Sequence, residues 1–157
     1  MFHALLALLL LLPLSPKSSE AFVFRKIVYS SPIEGLIHWQ GKPLPNVVAT
    51  RELYSAGFDG GKYTDTATTN SEGRFKFEVV QERRLFRPDL LSSNPVVSQA
   101  VKVSYQGTDY LIWYFRKPNY ELGSESLNGF LKLDCDLSIS EEGGESQIVR
   151  CKHNGAL

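Results

Sequence analysis

The chain predicts an all-β fold, a sandwich or barrel built from short strands. No stretch sustains the 3.6-residue apolar spacing of an amphipathic helix. Short runs rich in Val, Ile, Thr, Tyr and Phe recur instead, separated by clusters of Gly, Pro, Asn and Asp that favour turns. Within them, Arg74-Phe75-Lys76-Phe77-Glu78-Val79 alternates strictly between polar and apolar, the period of a strand with one face on a core.

The N-terminus reads differently from the rest. Residues 4–14 are almost entirely Leu and Ala, interrupted by Pro13, and are too short to span a bilayer, which takes roughly 20 apolar residues. They fit the apolar region of a secretory signal peptide, with Ser19-Glu20-Ala21 as its cleavage site and Phe22 as the new N-terminus. The segment before them, Met1-Phe2-His3, lacks the usual Lys or Arg. A buried N-terminal helix is the alternative, and Pro13 and Pro16 count against it. No Cys follows the leader to carry a lipid, so no membrane anchor is expected. The expected organisation is a leader over residues 1–21 and a single domain over 22–157, exported to the periplasm or beyond.

Along that domain, residues 22–29 form the first expected strand, broken by Ser31-Pro32. Strands follow at 33–39 and 46–53, joined by the turn Gln40-Gly41-Lys42-Pro43-Leu44-Pro45, with Val47, Ala49 and Arg51 on one face. After a loop at Phe58-Asp59-Gly60-Gly61, the Thr-rich stretch 62–69 suits a partly exposed strand. The turn Asn70-Ser71-Glu72-Gly73 leads into the Phe75–Phe77 strand. Residues 82–94 break the rhythm and read as a loop or short helical turn. Strands resume at 96–105, at 110–115 after Gln106-Gly107-Thr108-Asp109, at 127–137 and at 147–152. Residues 117–126 read as polar loop, and the acidic 141–145 as a solvated loop tip.

Composition narrows the function classes. Hydrophobic residues make up 43% and charged residues 22%, ordinary for a packed domain and unlike a disordered chain. Seventeen basic residues balance seventeen acidic ones, and Arg83-Arg84 and Arg116-Lys117 are isolated, so a phosphate-backbone footprint is missing and no nucleic-acid partner is expected. The two cysteines, Cys135 and Cys151, form an even pair, which in an exported chain reads as a disulfide. The rival, a metal site of Cys135, Cys151 and His153, lacks the spacing of known zinc motifs.

Two segments carry a family resemblance. Ile33-Glu34-Gly35-Leu36-Ile37 followed by Gly41-Lys42-Pro43-Leu44-Pro45-Asn46-Val47-Val48-Ala49 resembles the opening of carboxypeptidase-regulatory-like, transthyretin-like domains. Thr66-Ala67-Thr68-Thr69-Asn70-Ser71-Glu72-Gly73-Arg74-Phe75-Lys76-Phe77 resembles their second hallmark. The match covers about residues 33–80. Farther on, Tyr110-Leu111-Ile112-Trp113 and the segment from Leu131 to Leu137 resemble an uncharacterised family of small exported bacterial proteins. The resemblance implies a Greek-key sandwich of about seven strands that acts as a structural or binding module, and no catalytic residue carries over from it.

A search for chemistry finds little. Once the leader is removed, His38 and His153 are the histidines left, and no phosphate-binding, dinucleotide-binding or zinc-protease motif is present. Asp59-Gly60-Gly61 with Asp65 hints at a calcium loop but reads first as a turn. No catalytic set, metal or cofactor is expected. Strand alternation over 110–115 puts Tyr110, Ile112 and Tyr114 on one face and Leu111, Trp113 and Phe115 on the other. One face is core; the other is either covered or a candidate binding surface, for which Tyr110, Trp113, Tyr114 and Arg116 are the named residues. The expectation is a non-enzymatic module whose partner is another protein. A periplasmic immunity or inhibitor protein acting on a toxin or hydrolase is the alternative, and a small hydrolase of transthyretin-like fold ranks below both.

Overall fold

A computed structural model describes residues 24–86, 88, 96–126 and 128–155. The expected leader lies outside these residues. Thirteen strands are present: β1 (Arg25–Ser30), β2 (Ile33–Trp39), β3 (Lys42–Pro43), β4 (Val48–Tyr54), β5 (Lys62–Thr68), β6 (Arg74–Phe77), β7 (Val80–Arg84), β8 (Val97–Tyr105), β9 (Thr108–Lys117), β10 (Leu131–Asp136), β11 (Ser140–Gly143), β12 (Ser146–Val149) and β13 (Lys152–His153). One turn of 3-10 helix, Asp59–Gly61, stands between β4 and β5. The expected all-β sandwich is present.

The strands form a six-stranded sheet ordered β11-β12-β9-β8-β4-β5 and a five-stranded sheet ordered β13-β10-β2-β3, in which β6 also pairs with β2. A two-stranded ribbon, β1-β7, completes the set. Among the described residues the count exceeds about seven because four expected loops, turns or single strands resolve into more, the turn after β2 holding the short β3. The acidic 141–145 stretch is the end of a hairpin, β11 against β12, with Gly143 opposite Ser146. Residues 80–84, which run into the start of the stretch that breaks the rhythm, pair with β1. The last expected strand divides at Cys151, so that β12 joins β9 in one sheet and β13 joins β10 in the other. Both sheets are mixed: β10 runs parallel to β2, and β12 parallel to β9.

The turns follow from their residues. Gln40-Gly41 and Gln106-Gly107 both take positive φ, 50° and 76° in the first and 50° and 78° in the second, the two-residue hairpin geometry that matches strand twist. Gly35 serves a close approach: a Cβ there would lie 2.0 Å from Phe75 Cε1, so the ring on β6 packs over β2 only because position 35 is bare.

The core lies between the two large sheets. One cluster gathers Ile33, Ile37, Phe75, Phe77, Val101, Trp113, Leu131 and Leu133. A second, of Ile27, Tyr29, Leu53, Val97 and Tyr120, fills one end and packs Phe58 and Tyr63, with the Tyr29 and Phe58 rings 4.3 Å apart. A belt of buried polar side chains separates them. Along β4 the inward residues run Ala49, Arg51, Leu53; along β8, Val101, Gln99, Val97; β9 ends on Lys117, and β1 on Ser30, with Ser31 following. β4 and β8 thus pass from one cluster to the other through a polar position.

Candidate functional site

Alternation alone would bury Tyr114 beside Tyr110. The β8–β9 register instead shifts between Val101 and Lys102: Val101 pairs with Trp113 while Lys102 pairs with Leu111, leaving Ile112 as a bulge. A bulge adds one residue to one strand and reverses its facing. Tyr110 and Ile112 therefore face the core, and so do Trp113 and Lys117. Tyr110 and Trp113, 7% and 8% exposed, do not belong to a binding surface, which corrects the sequence expectation for those two. Tyr114 and Arg116 turn outward. Tyr114 is 57% exposed, so its face is not covered.

On the outer face of the six-stranded sheet, the register places Tyr114 opposite Ala100 and Ala100 opposite Glu52. In the adjoining row, Arg116 lies opposite Ser98, Ser98 opposite Tyr54, and Tyr54 opposite Lys62. Two exposed tyrosines thus stand across two strands with only Ala100 and Ser98 between them. Glu52 is committed to Lys62 at 2.6 Å and Lys102 at 3.1 Å, and the hydrogen bond from Lys62 foremost holds its carboxyl below the usual range. Arg116 has no ion pair among the described residues and is the open cation of the patch. The patch is aromatic and cationic on a rigid sheet.

The other candidate residues form structural clusters. Cys135 and Cys151 are bonded, with Cα atoms 4.4 Å apart, and they face each other one step beyond the Asp134–Lys152 pair of β10 and β13. The bond fixes the point where the chain crosses from the six-stranded to the five-stranded sheet. Closing such a loop contributes about 3 kcal/mol in the chain-entropy model. The sulfurs are consumed by each other, and the His153 ring lies edge-on to Trp113 at 4.9 Å. Asp65, named for a calcium loop, is bound to Arg51. Among the described residues no group of three or more His, Cys, Asp or Glu could hold a metal ion, and no helix is long and apolar enough to cross a membrane.

His38 lies between two carboxylates of the parallel neighbour β10: Nε2 is 2.8 Å from Asp134 Oδ1 and Nδ1 3.2 Å from Asp136 Oδ2. Nε2 is hydrogen-bonded to Asp134, whereas Nδ1, although close to Asp136, makes no hydrogen bond. The nearby hydroxyl, Ser138 Oγ, donates to Asp136 rather than to the ring, so the line from nucleophile to base to orienting acid is absent. Burial tends to raise the Asp136 pKa, but hydrogen bonds from the Ser138 hydroxyl and amide and from the Gln40 and Gly41 amides outweigh it and bring the value to about 2. A depressed acid stabilises the fold above its unfolded pKa and loses that contribution as pH falls through the folded value. Stability is therefore expected to fall between about pH 4 and about pH 2, by roughly 1 kcal/mol from this group after allowance for solvent screening. Asp136→Asn should flatten that window in an acid titration of the unfolding midpoint; an unchanged slope would contradict it.

Sequence reasoning missed the buried belt. Lys117 and Glu125, assigned to a polar loop, are 0% and 1% exposed, with Lys117 Nζ 3.0 Å from both carboxylate oxygens. Glu125 also accepts from the Ser31 amide at 3.0 Å, Ser31 Oγ at 2.6 Å and Gln99 Nε2 at 2.8 Å. Burial drives its pKa up, but Lys117 first, then Gln99 and Ser31, hold it below the ordinary range. At Lys117 burial wins and the pKa is lowered. The two partners pull in opposite directions, and the three further donors on Glu125 decide for an ionised carboxylate. With no open space to either group, the pair is architecture rather than a reaction centre.

These features define an all-β sandwich with a cross-linked C-terminal crossover and an exposed tyrosine–arginine face. Residues 33–140 match a family described as a domain of unknown function (DUF6795), and the chain belongs to it. No curated protein matches the chain.

Proposed function

We propose that the chain is a non-enzymatic, exported binding module that works through protein–protein contact at the outer face of the six-stranded sheet. The observation that carries this reading is Tyr114, 57% exposed on a rigid central strand beside Arg116. Tyr and Arg are the side chains most enriched at interface hot spots, because each offers large area and hydrogen bonding at modest entropic cost. Tyr54 widens the patch, and the small Ala100 and Ser98 leave room for an inserted partner side chain. Export is supported by the leader-like residues 4–14 and by the disulfide, a bond that oxidising compartments sustain. The two segments resembling carboxypeptidase-regulatory-like, transthyretin-like domains support a kinship with those binding modules.

The test is capture from the native cell envelope with immobilised chain 22–157, identified by mass spectrometry. Tyr114→Ala and Arg116→Ala should each weaken capture of the dominant partner at least about tenfold while leaving the unfolding midpoint unchanged. Trp113→Ala is no probe of the surface, because Trp113 is core. A partner retained equally by both variants would refute the assignment. A captured hydrolase or toxin that loses activity in a stoichiometric complex would make the module an inhibitor or immunity protein.

A further inference from the structure

The outer face of the five-stranded sheet, on the other side of the sandwich from Tyr114, forms an open groove of about 1030 Å³. Its floor is set by register. One row across β10, β2 and β6 runs Lys132, Glu34, Lys76; the next, across β13, β10, β2 and β6, runs Lys152, Asp134, Leu36, Arg74. Four cations thus surround two carboxylates and one half-buried leucine. Asp134 is already engaged by His38. Arg74 and Lys76 are bridged to Glu72 at 3.3 Å and Glu78 at 3.0 Å, all four more than half exposed, and such pairs exchange readily with a competing ligand. Among the described residues Lys132 and Lys152 have no carboxylate partner; Lys132 Nζ rests over the Phe130 ring at 5.0 Å. These two are diagonal neighbours across β10 and β13, about 7–8 Å apart by strand geometry. With Glu72 and Glu78 counted, four cations meet four carboxylates, so the local attraction for an anion rests on Lys132 and Lys152.

The wall of the groove decides what kind of anion. Thr66–Thr68 of β5 and Arg74–Lys76 of β6 border it, and among the described residues each strand pairs with one other strand, β5 with β4 and β6 with β2, while Asn70 takes both the amide and the carbonyl of Arg74. Free strand edges offer main-chain donors and acceptors that an extended polypeptide can use and a sulfated sugar cannot match in register. Lys76 and Arg74 repel the same edge of a second copy, while an acidic strand would neutralise them.

We propose that this groove binds an extended acidic segment of a partner protein, with its carboxylates on Lys132, Lys152, Lys76 and Arg74 and its backbone against the edge of β5. The site is independent of the Tyr114 face. Fluorescence anisotropy with a labelled peptide of alternating Glu and Val tests it, against a Lys–Val peptide and a sulfated oligosaccharide of equal charge. The Glu peptide should bind saturably and weaken about tenfold from low to physiological salt, as a screened charge contact does. Lys132→Glu with Lys152→Glu should weaken it at least about tenfold with the unfolding midpoint retained, and Tyr114→Ala should leave it unchanged. No saturable binding, equal binding by the doubly substituted chain, or tighter binding of the sulfated sugar would each overturn the proposal, whatever becomes of the Tyr114 reading.

Discussion

Glu125→Ala is expected to destabilise the fold by about 3–5 kcal/mol, because it strands the Lys117 ammonium in the interior without its counter-charge. Lys117 is 0% exposed, and its amine would keep the Glu121 carbonyl as a neighbour while losing both carboxylate oxygens. Ser31 and Gln99 would lose acceptors at the same time. The charge itself accounts for most of the effect. Replacing both partners with apolar residues, Lys117→Met with Glu125→Leu, should therefore recover much of the loss, since it removes the desolvation cost along with the attraction. Denaturant unfolding of the oxidised chain measures both. A single variant as costly as the double, or a loss below about 1 kcal/mol, would mean the pair is solvated and not the buried contact described.

Arg51→Ala is expected to cost about 3–5 kcal/mol by a different route. The guanidinium, 1% exposed, donates in fork geometry to both Asp65 oxygens, at 2.9 and 2.6 Å, and also to Ser30 Oγ at 3.1 Å and the Glu78 carbonyl at 2.9 Å. It lies 4.8 Å over the Phe77 ring. Truncation leaves Asp65 without its partner, the other two acceptors unmet and a void against Phe77. Arg51→Lys should recover only a minority of the loss, since an ammonium cannot reproduce the planar fork. A thermal midpoint equal to that of the unsubstituted chain in either variant would remove Arg51 from the account of what joins β4, β5 and the β6–β7 connection.

Much of the fold was legible from local pattern. The alternation of Arg74 to Val79 marks β6 and its inward Phe75 and Phe77, and the Gln-Gly pairs mark two hairpins, because both signals act within a few residues. Periodicity also placed Arg51 on one strand face with Val47 and Ala49, though it named neither that face as inward nor the partner. What pattern did not carry depends on distant pairing. The bulge at Ile112 exists only in the β8–β9 register, and it alone decides that Tyr114 is outside and Trp113 inside. Glu125 sits in a stretch that is polar by composition, and its burial depends on Ser31 and Gln99 arriving from two distant segments and on Lys117 at the end of β9. The cysteine pair was readable because two cysteines leave one pairing, whereas the change of sheet it secures between β12 and β13 was not.

Contact with a partner protein at Tyr114 and Arg116 is the proposed mode of action. Site-specific photocrosslinking tests it most directly: a photoreactive aromatic residue replaces Tyr114 in the native host, with the exposed loop residue Ile139 as the control position. One dominant protein adduct from position 114, absent from position 139, is the predicted result. Equal labelling from both positions, or none from position 114 in cells where the chain is exported and folded, would contradict the account.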